Sequence, residues 1–467
     1  MSKKVIFAWP TLKNSKGYAT VGQNRQFQWF KDPTFIYPIV AAQAATMLIK
    51  NKHQVLWLDA LAEEMDEENF GNVLVTSPTD FIVFESPTPT INRYIEIING
   101  IKQHMPTVKV ILCGDHVTSN IGYEQVKKEC KADYIVRGGK WHHEVYRLIN
   151  GQKWEENKPL PHIDRDITRW WLYAYRNGNY KHIPATYIMS AMDCWHRPGC
   201  TFCAWAEYHP TYEVRPVEDV LDEIEELAKM GFKEIFDDSG TFPVGDWLNK
   251  FCEGMIERGL NDIISLGCNM RFGALQPEDF IMMNKAGFRM ILWGLESVNQ
   301  KTLDKLNKKV NLIHINEDLI LAKAAHLDSH LTVMFGYPFE TYDDAKRTHD
   351  MVRHWLKKGV VWSAQATICV PYPNTKLWRE AKDTGNLLTE TWDDYDMTKP
   401  VLKSPIEHKD LKKLQAGIYN VAFHPEFIWN KLKSIRSWED FKYMFRIARK
   451  VYDRFGNFVE ISKVGSE

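Results

Sequence analysis

The chain has few cysteines, almost no net charge and no long apolar run, and each shortage excludes something. Eight cysteines in 467 residues are too sparse for a disulfide-built scaffold. Lys plus Arg number 59 against 60 Asp plus Glu, a formal net charge of -1. The basic footprint that non-specific nucleic-acid binding needs is missing, so no nucleic-acid partner is expected. No apolar stretch approaches the ~20 residues of a bilayer-crossing helix, so no membrane partner is expected either. The apolar run Val5–Trp9 is too short for a secretory signal and has no small-residue cleavage site after it, which points to a cytoplasmic location. Internal repeats and low-complexity tracts are absent. What remains is ordinary globular composition, 44% hydrophobic and 25% charged, in a length that suggests about three modules at roughly 150 residues each.

Over residues 1–150, short apolar runs at Val5–Ala8, Val55–Leu58, Asp80–Glu85, Val108–Leu112 and Tyr134–Val136 alternate with helical patterns such as Tyr37–Lys50 and Ile91–Gln103. A polar, Gly-containing loop is expected after Pro10 and Thr11. Strands that alternate with helices imply right-handed βαβ units and a parallel, doubly wound, Rossmann-like sheet, with ligands beyond the C-terminal strand ends. Residues 151–182 read as a linker, where Trp170, Trp171, Tyr173 and Tyr175 would pack a joint. A second alternation covers 183–385, with candidate strands Thr186–Ser190, Glu234–Phe236, Ile264–Gly267, Met290–Gly294, Leu331–Phe335 and Ala364–Val370. Six βα units fit a partial (β/α)6 barrel better than a full eight-fold one. Residues 386–467 read as mostly helical. From 401 to 467, 13 Lys/Arg face 8 Asp/Glu, which is first of all a solvated helical surface. The fold class is therefore α/β with a helical C-terminal region.

Three of the eight cysteines crowd into ten residues. Cys194, Cys200 and Cys203 lie in DCWHRPGCTFCAW, directly after the first barrel strand. Three thiolates on one loop suit a soft metal centre. A structural zinc wants four ligands, and no second CxxC or His pair lies nearby. His196 sits inside the loop itself. Three thiolates match a cubane iron–sulfur cluster with one open iron; zinc and unligated thiols are the alternatives.

The triplet, with Phe202 before its last Cys, resembles the radical S-adenosylmethionine superfamily, although the usual spacing there is C-x3-C-x2-C. Further segments follow in the family's order: Tyr212–Glu218, Ile235–Phe242, Cys268–Arg271, Lys285–Ser297, Gly336–Thr341 and Pro371–Thr375. The resemblance covers about 185–390. It implies that Cys194, Cys200 and Cys203 hold a 4Fe-4S cluster and that Phe202, Asp237, Asp238, Ser239, Arg271 and Glu296 contact S-adenosylmethionine. The N-terminal strings Pro10–Leu12, Glu85–Thr88, Val110–Thr118 and Asp133–Gly139 resemble the cobalamin-binding domain often fused ahead of such barrels. That implies cobalamin contacts at Thr11, Leu12, Ser86, Thr88, Gly114, Asp115, His116, Val117, Thr118, Arg137, Gly138 and Gly139. The D-x-H-x-x-G motif for a lower cobalt ligand is incomplete, because Asp115 directly precedes His116 and residue 120 is Asn. His116 is thus expected to be a hydrogen-bonding or structural group.

Together these resemblances imply a cobalamin-dependent radical S-adenosylmethionine methyltransferase. One electron would cleave S-adenosylmethionine to methionine and a 5′-deoxyadenosyl radical, which takes hydrogen from an unactivated carbon. Methylcobalamin would then supply the methyl group. The implied partners are these cofactors, an electron donor such as ferredoxin or flavodoxin, and a substrate that includes peptides or proteins among its candidates. A cyclase or rearrangement enzyme with the same cofactors and a non-catalytic corrinoid-binding protein are the competing readings.

Overall fold

The computed structural model describes residues 2–21, 27–30, 35–155, 159–178, 180–208 and 211–448. The five N-terminal apolar runs form one sheet: β1 (Lys4–Trp9), β2 (Gln54–Asp59), β3 (Phe81–Glu85), β4 (Lys109–Cys113) and β5 (Tyr134–Ile135). All pair in parallel, in the order β2-β1-β3-β4-β5. This is the doubly wound order whose switch point lies between β1 and β3. β1 is buried from Val5 to Ala8 without alternation, as expected where helices cover both faces.

The second sheet is the partial barrel: β6 (Ala185–Ile188), β7 (Glu234–Asp237), β8 (Ser265–Met270), β9 (Phe288–Glu296), β10 (Asp328–Phe335) and β11 (Ser363–Ile368). These six strands are parallel and neighbour one another in chain order. The crossover helix Val217–Lys229 shows why. Pro216 starts it, Glu218 and Asp219 occupy its first turn, and Val220, Ile224 and Leu227 are buried on one side. A carboxylate-rich first turn suits the helix dipole, and the 3-4 spacing puts the apolar stripe on the sheet.

Two stretches differ from the sequence expectation. The loop after Pro10 contains three antiparallel strands, Lys13–Asn14, Gly17–Val21 and Phe27–Phe30. They escape periodicity because the first is two polar residues long. Lys16 pairs with Asp396, and Trp29 Nε1 donates to the same carboxylate at 3.0 Å. The C-terminal region is helical from His408, with helices His408–Tyr419 and Pro425–Lys433 and helical residues 438–448. Residues 386–406 instead run as a strap, and Trp392, Tyr395 and Val401 pack into the N-terminal module's core beside Phe84 and Leu112. The rest of the C-terminal region, 449–467, lies outside the described residues.

The connector clamps the two modules. Tyr173 accepts from Trp57 Nε1 at 2.9 Å and donates to Asp59 at 2.8 Å. Arg165 is buried, bonds Thr186, the Tyr187 carbonyl and Glu223, and covers the Tyr37 ring. Trp170 packs on Phe232, whereas Trp171 and Tyr175 stay exposed. His162 lies 3.4 Å from Asp219 and 3.0 Å from Glu226. Its bond to Asp219 leads a set of carboxylate effects that outweigh burial and raise its pKa to about 9. The unfolded value is ~6.5, so this contribution to stability is complete below about pH 6.5 and is lost as pH rises through about 9. His162→Gln should lower the thermal midpoint by roughly 1–2 °C near pH 6, given the site's partial exposure. Scanning calorimetry should show that gap closing near pH ~10.

Candidate active site

The cysteine loop follows β6 and is fastened independently of its sulfurs. The Thr201 amide donates to the Leu306 carbonyl at 3.0 Å, and the Thr201 carbonyl accepts from the Leu377 amide at 2.9 Å. Asn307 Nδ2 donates to the Gly199 carbonyl at 2.7 Å. His196 Nε2 turns to the Asn307 carbonyl at 2.6 Å, and burial and Arg271 lower its pKa to about 4. It stays a neutral donor that braces the loop. Arg197 pairs with Asp193.

Cys194, Cys200 and Cys203 all line one cavity of about 230 Å³, together with Phe202, Arg271 and Glu296. Cys194 Sγ lies 2.8 Å from Thr241 Oγ1, and Arg271 Nη1 lies 3.8 Å from Cys200 Sγ. Burial pushes the Cys203 thiol up to about 12, with Cys200 adding to it. No group of three His, Cys, Asp or Glu among the described residues is arranged around a single ion. A cubane asks for something else, since each thiolate takes a different iron and one iron stays open. Three sulfurs facing a shared cavity with cationic neighbours fit that group; a tetrahedral single-ion site does not.

The same cavity holds the groups for an amino-acid ligand, and one of them was not foreseen from sequence. Glu296 ends β9 at a register shift opposite β10, with φ at +63°. This sparsely populated backbone aims its carboxylate inward, the sort of strain that collects at ligand sites. Lys308 Nζ donates to Glu296 Oε1 at 2.9 Å, and both side chains are almost fully buried. Arg271 Nη2 donates to the Lys308 carbonyl. A Cβ on Gly294 would lie 2.6 Å from Lys308 Nζ and 3.0 Å from Glu296 Oε1, so any larger residue there would make the tips of the pair shift. The local signal for Lys308 was a run of two lysines after a helix, which reads as surface. Positive φ at Asn307 and Lys309 turns one lysine in and leaves the next exposed.

The other predicted contacts divide. Asp237 accepts from the Ser190 and Ser239 amides, and the Ser239 hydroxyl accepts from the Ala191 amide at 2.8 Å. Both hold strand ends through these bonds. Asp238 lines a second cavity of about 150 Å³ beside the N-terminal sheet. Leu12 and Ser86 also line that cavity, Thr88 lines the first, and Asp115 lines both. The two cavities share Phe27, Pro87, Asp115 and Trp205 and so adjoin.

The remaining N-terminal residues serve the scaffold in this structure. The Thr11 hydroxyl donates to the Met65 carbonyl. Gly114 has φ +112°, and a Cβ there would lie 2.8 Å from the Ser86 carbonyl. His116 is fully buried, 3.1 Å from Gln125 Oε1 and edge-on to Trp392, with burial lowering its pKa to about 4. Val117 is core. Thr118 joins the Gly114 carbonyl to the Gly138 amide. Arg137 bonds the Thr118 carbonyl and Asn120, and the Gly139 amide donates to the Tyr208 carbonyl.

Comparison with known proteins agrees with this layout. Residues 191–352 match the radical SAM superfamily. The anaerobic magnesium-protoporphyrin IX monomethyl ester cyclase of Cereibacter sphaeroides is 24% identical over 377 residues, which is 74% of this chain and 60% of that protein. The chain thus spans well under the full length of that relative. An uncharacterized methyltransferase of Pyrococcus horikoshii is 25% identical, over 78% of this chain and 83% of its own. Among solved structures, the radical S-adenosylmethionine methyltransferase TsrM of Kitasatospora setae, with cobalamin and a 4Fe-4S cluster bound, superposes with a TM-score of 0.67. It covers 97% of this chain and 100% of its own at 13% identity, a likeness of fold.

Proposed function

Because the chain carries a radical SAM domain over residues 191–352, set against a doubly wound N-terminal module, we propose that it is a cobalamin-dependent radical S-adenosylmethionine methyltransferase acting at carbon. The observation that carries this reading is the juxtaposition. The thiol triad and the Glu296–Lys308 pair line one cavity, and that cavity adjoins another at the C-terminal ends of the N-terminal strands. Residues 1–150 would hold the corrinoid, 183–385 the cluster and S-adenosylmethionine, and the substrate would sit between them.

When bound, the cluster supplies the electron that splits S-adenosylmethionine and the corrinoid supplies the methyl group, so the hard chemistry belongs to the cofactors. The chain's own residues position and shield. Cys194, Cys200 and Cys203 hold the cluster from a loop that Thr201, Gly199 and His196 fasten. The Glu296 carboxylate accepts from the cosubstrate's ammonium, while Arg271 and Lys308 answer its carboxylate. Phe27, Trp205 and Pro87 form the apolar wall shared by both cavities and keep water from the reacting groups. His116 and His196 are buried, which lowers the pKa of each to about 4 and leaves both imidazoles neutral near pH 7. Asp115, on both cavities, is the polar group placed where corrinoid and substrate would meet.

The test is anaerobic turnover of the reconstituted chain with methyl-labelled S-adenosylmethionine and candidate substrates. Methyl transfer yields both 5′-deoxyadenosine and S-adenosylhomocysteine, with label in the product. A relative named as a cyclase supports one second reading, ring formation without methyl transfer. That outcome gives 5′-deoxyadenosine with no S-adenosylhomocysteine.

A further inference from the structure

The C-terminal helices turn their large apolar side chains outward. Among the described residues, the three phenylalanines that stand exposed, Phe423, Phe441 and Phe445, all fall in residues 423–445. Trp429 and Trp438, two of the three exposed tryptophans, lie there too, beside exposed Ile428 and Leu432. Scattered exposed apolar residues are normal, whereas a cluster of them marks a contact surface. We propose that this face docks on the surface of an anionic lipid bilayer.

The helical stretch 438–448 shows the inversion most clearly. Asp440 accepts from the Arg436 and Ser437 amides at 2.9 and 3.0 Å, and the Ser437 hydroxyl accepts from the Asp440 amide at 3.1 Å. This capping fixes where the helix starts. Its polar groups then face the barrel: Asp440 pairs with Lys181, and Arg446 donates to the Lys181 carbonyl at 2.9 Å. Tyr443, on the same side, is buried and stacks on Trp362. Trp438, Phe441 and Phe445, spaced three and four apart, form the opposite stripe and are 67%, 48% and 66% exposed. A helix that served only to cover the barrel would bury that stripe. Trp438 and Phe441 stack with centroids 5.1 Å apart, so the aromatic surface is already assembled. The helix Pro425–Lys433 repeats the arrangement. Asn430 donates to the Lys357 carbonyl at 2.6 Å and Lys431 to the Trp362 carbonyl at 2.5 Å, while Ile428, Trp429 and Leu432 point out. Both helices stand on Trp362 and are therefore neighbours.

Charge selects the occupant. Lys433, Arg436 and Lys442 are exposed among these rings. The Lys433 ammonium lies 5.0 Å from the Trp429 centroid, and the Lys442 ammonium 5.9 Å from that of Trp438. Each acid in residues 425–448 has a lysine beside it: Asp440 has Lys181, Glu426 has Lys358 at 2.7 Å, and Glu439 has Lys442 at 3.2 Å. Aromatic rings interleaved with cations suit the boundary of an anionic bilayer, where rings enter the headgroup layer and ammonium groups stay among the phosphates. A second copy is a poorer occupant, because a two-fold contact lays the patch on itself and brings like charges together. Surface contact needs no crossing helix, and no described helix is long and apolar enough to be one. Lys431 and Arg446 bond Trp362 and Lys181, which precede strands β11 and β6. The face therefore lies at the end of the barrel opposite the cysteine loop, and docking sets where the protein sits rather than what its cavity does.

The probe is vesicles of equal parts phosphatidylcholine and phosphatidylglycerol, with pure phosphatidylcholine vesicles as the uncharged reference, co-sedimented with the full chain. The chain should sediment with the anionic vesicles and be partly released by salt. The triple variant Trp438→Gln, Phe441→Gln, Phe445→Gln should bind them at least about tenfold more weakly. Lys433→Glu, Arg436→Glu, Lys442→Glu should also lose at least about tenfold, and with it the preference for anionic lipid. The control Lys127→Glu, Lys128→Glu, Lys131→Glu makes the same charge change on exposed residues of the N-terminal module and should bind as the parent does. All these side chains stand in solvent, so each variant should keep a thermal midpoint close to the parent's. No binding by the parent, or undiminished binding by both variants of the face, overturns the proposal and leaves the face to a protein partner. An equal loss in the control overturns it in favour of net charge. A parent that is dimeric without vesicles, made monomeric by the aromatic triple, overturns it in favour of a second copy. None of these outcomes touches the proposed reaction.

Discussion

Serine in place of Cys203 should give a folded chain that holds little iron and makes no measurable 5′-deoxyadenosine. The substitution is nearly isosteric, and the loop's fastening to Leu306, Leu377 and Asn307 uses backbone and amide groups rather than sulfur. Folding should therefore survive while ligation fails. A hydroxyl is a harder and far less acidic ligand than a thiol, and cluster irons select thiolates. Cys194→Ser is the sharpest form of the experiment, because the hydroxyl can keep the bond to Thr241 and still not hold iron. Loss of one ligand should exceed the ~100-fold penalty typical of losing a ligand's supporting partner. Iron and sulfide per chain, the visible spectrum and reductive cleavage of S-adenosylmethionine are the measurements. Cys130→Ser, on a partly buried helix end in the N-terminal module, should leave all three unchanged. Full iron content in the Cys203 or Cys194 variant would remove the basis of the functional reading.

The parts of this protein that were legible in its sequence are those whose signal is local. Parallel strands buried on both faces appear as short apolar runs, so all eleven strands of the two sheets were readable within a few residues. The cysteine loop stood out because three of the eight cysteines fall within ten residues, and the segments that follow it in the family's order offset its unusual spacing. The strands at 13–30 were hidden by their brevity and polarity, and their stability comes from Lys16 and Trp29 reaching Asp396, more than 360 residues away. The strap at 386–406 was hidden for the same reason, since Trp392 and Tyr395 find their core in another module. Within the site, Asp237 and Ser239 matched a motif, yet their hydrogen bonds go to strand-end amides. Lys308 matched nothing, because it depends on two residues of positive φ that no pattern announces.

Lys308 and Glu296 should together decide cosubstrate affinity, and their stability effects should separate that role from a structural one. Lys308→Met leaves a buried carboxylate without its partner, and Glu296→Gln leaves a buried ammonium. Breaking a buried pair from one side costs about 3–5 kcal/mol, so each single variant should unfold at clearly lower denaturant. The double variant removes both charges and should recover much of that loss, since replacing a buried pair by neutral groups is often nearly neutral. Binding should behave in the opposite way. Each side chain is assigned to a different charged end of the amino-acid part of S-adenosylmethionine, and a hydrogen bond to a charged group is worth about 1.5–3 kcal/mol. Each single should therefore weaken binding roughly 10- to 150-fold, and the double should be weaker still. Denaturant titration and equilibrium dialysis of S-adenosylmethionine, run on the same cluster-loaded samples, read the two effects side by side. A double variant that regains stability and also regains affinity would make the pair a structural element and move the cosubstrate's amino-acid end elsewhere in the cavity. Stability regained with affinity lost would leave Gly294 explained as well, because the space it clears is then space for the ligand's own charges.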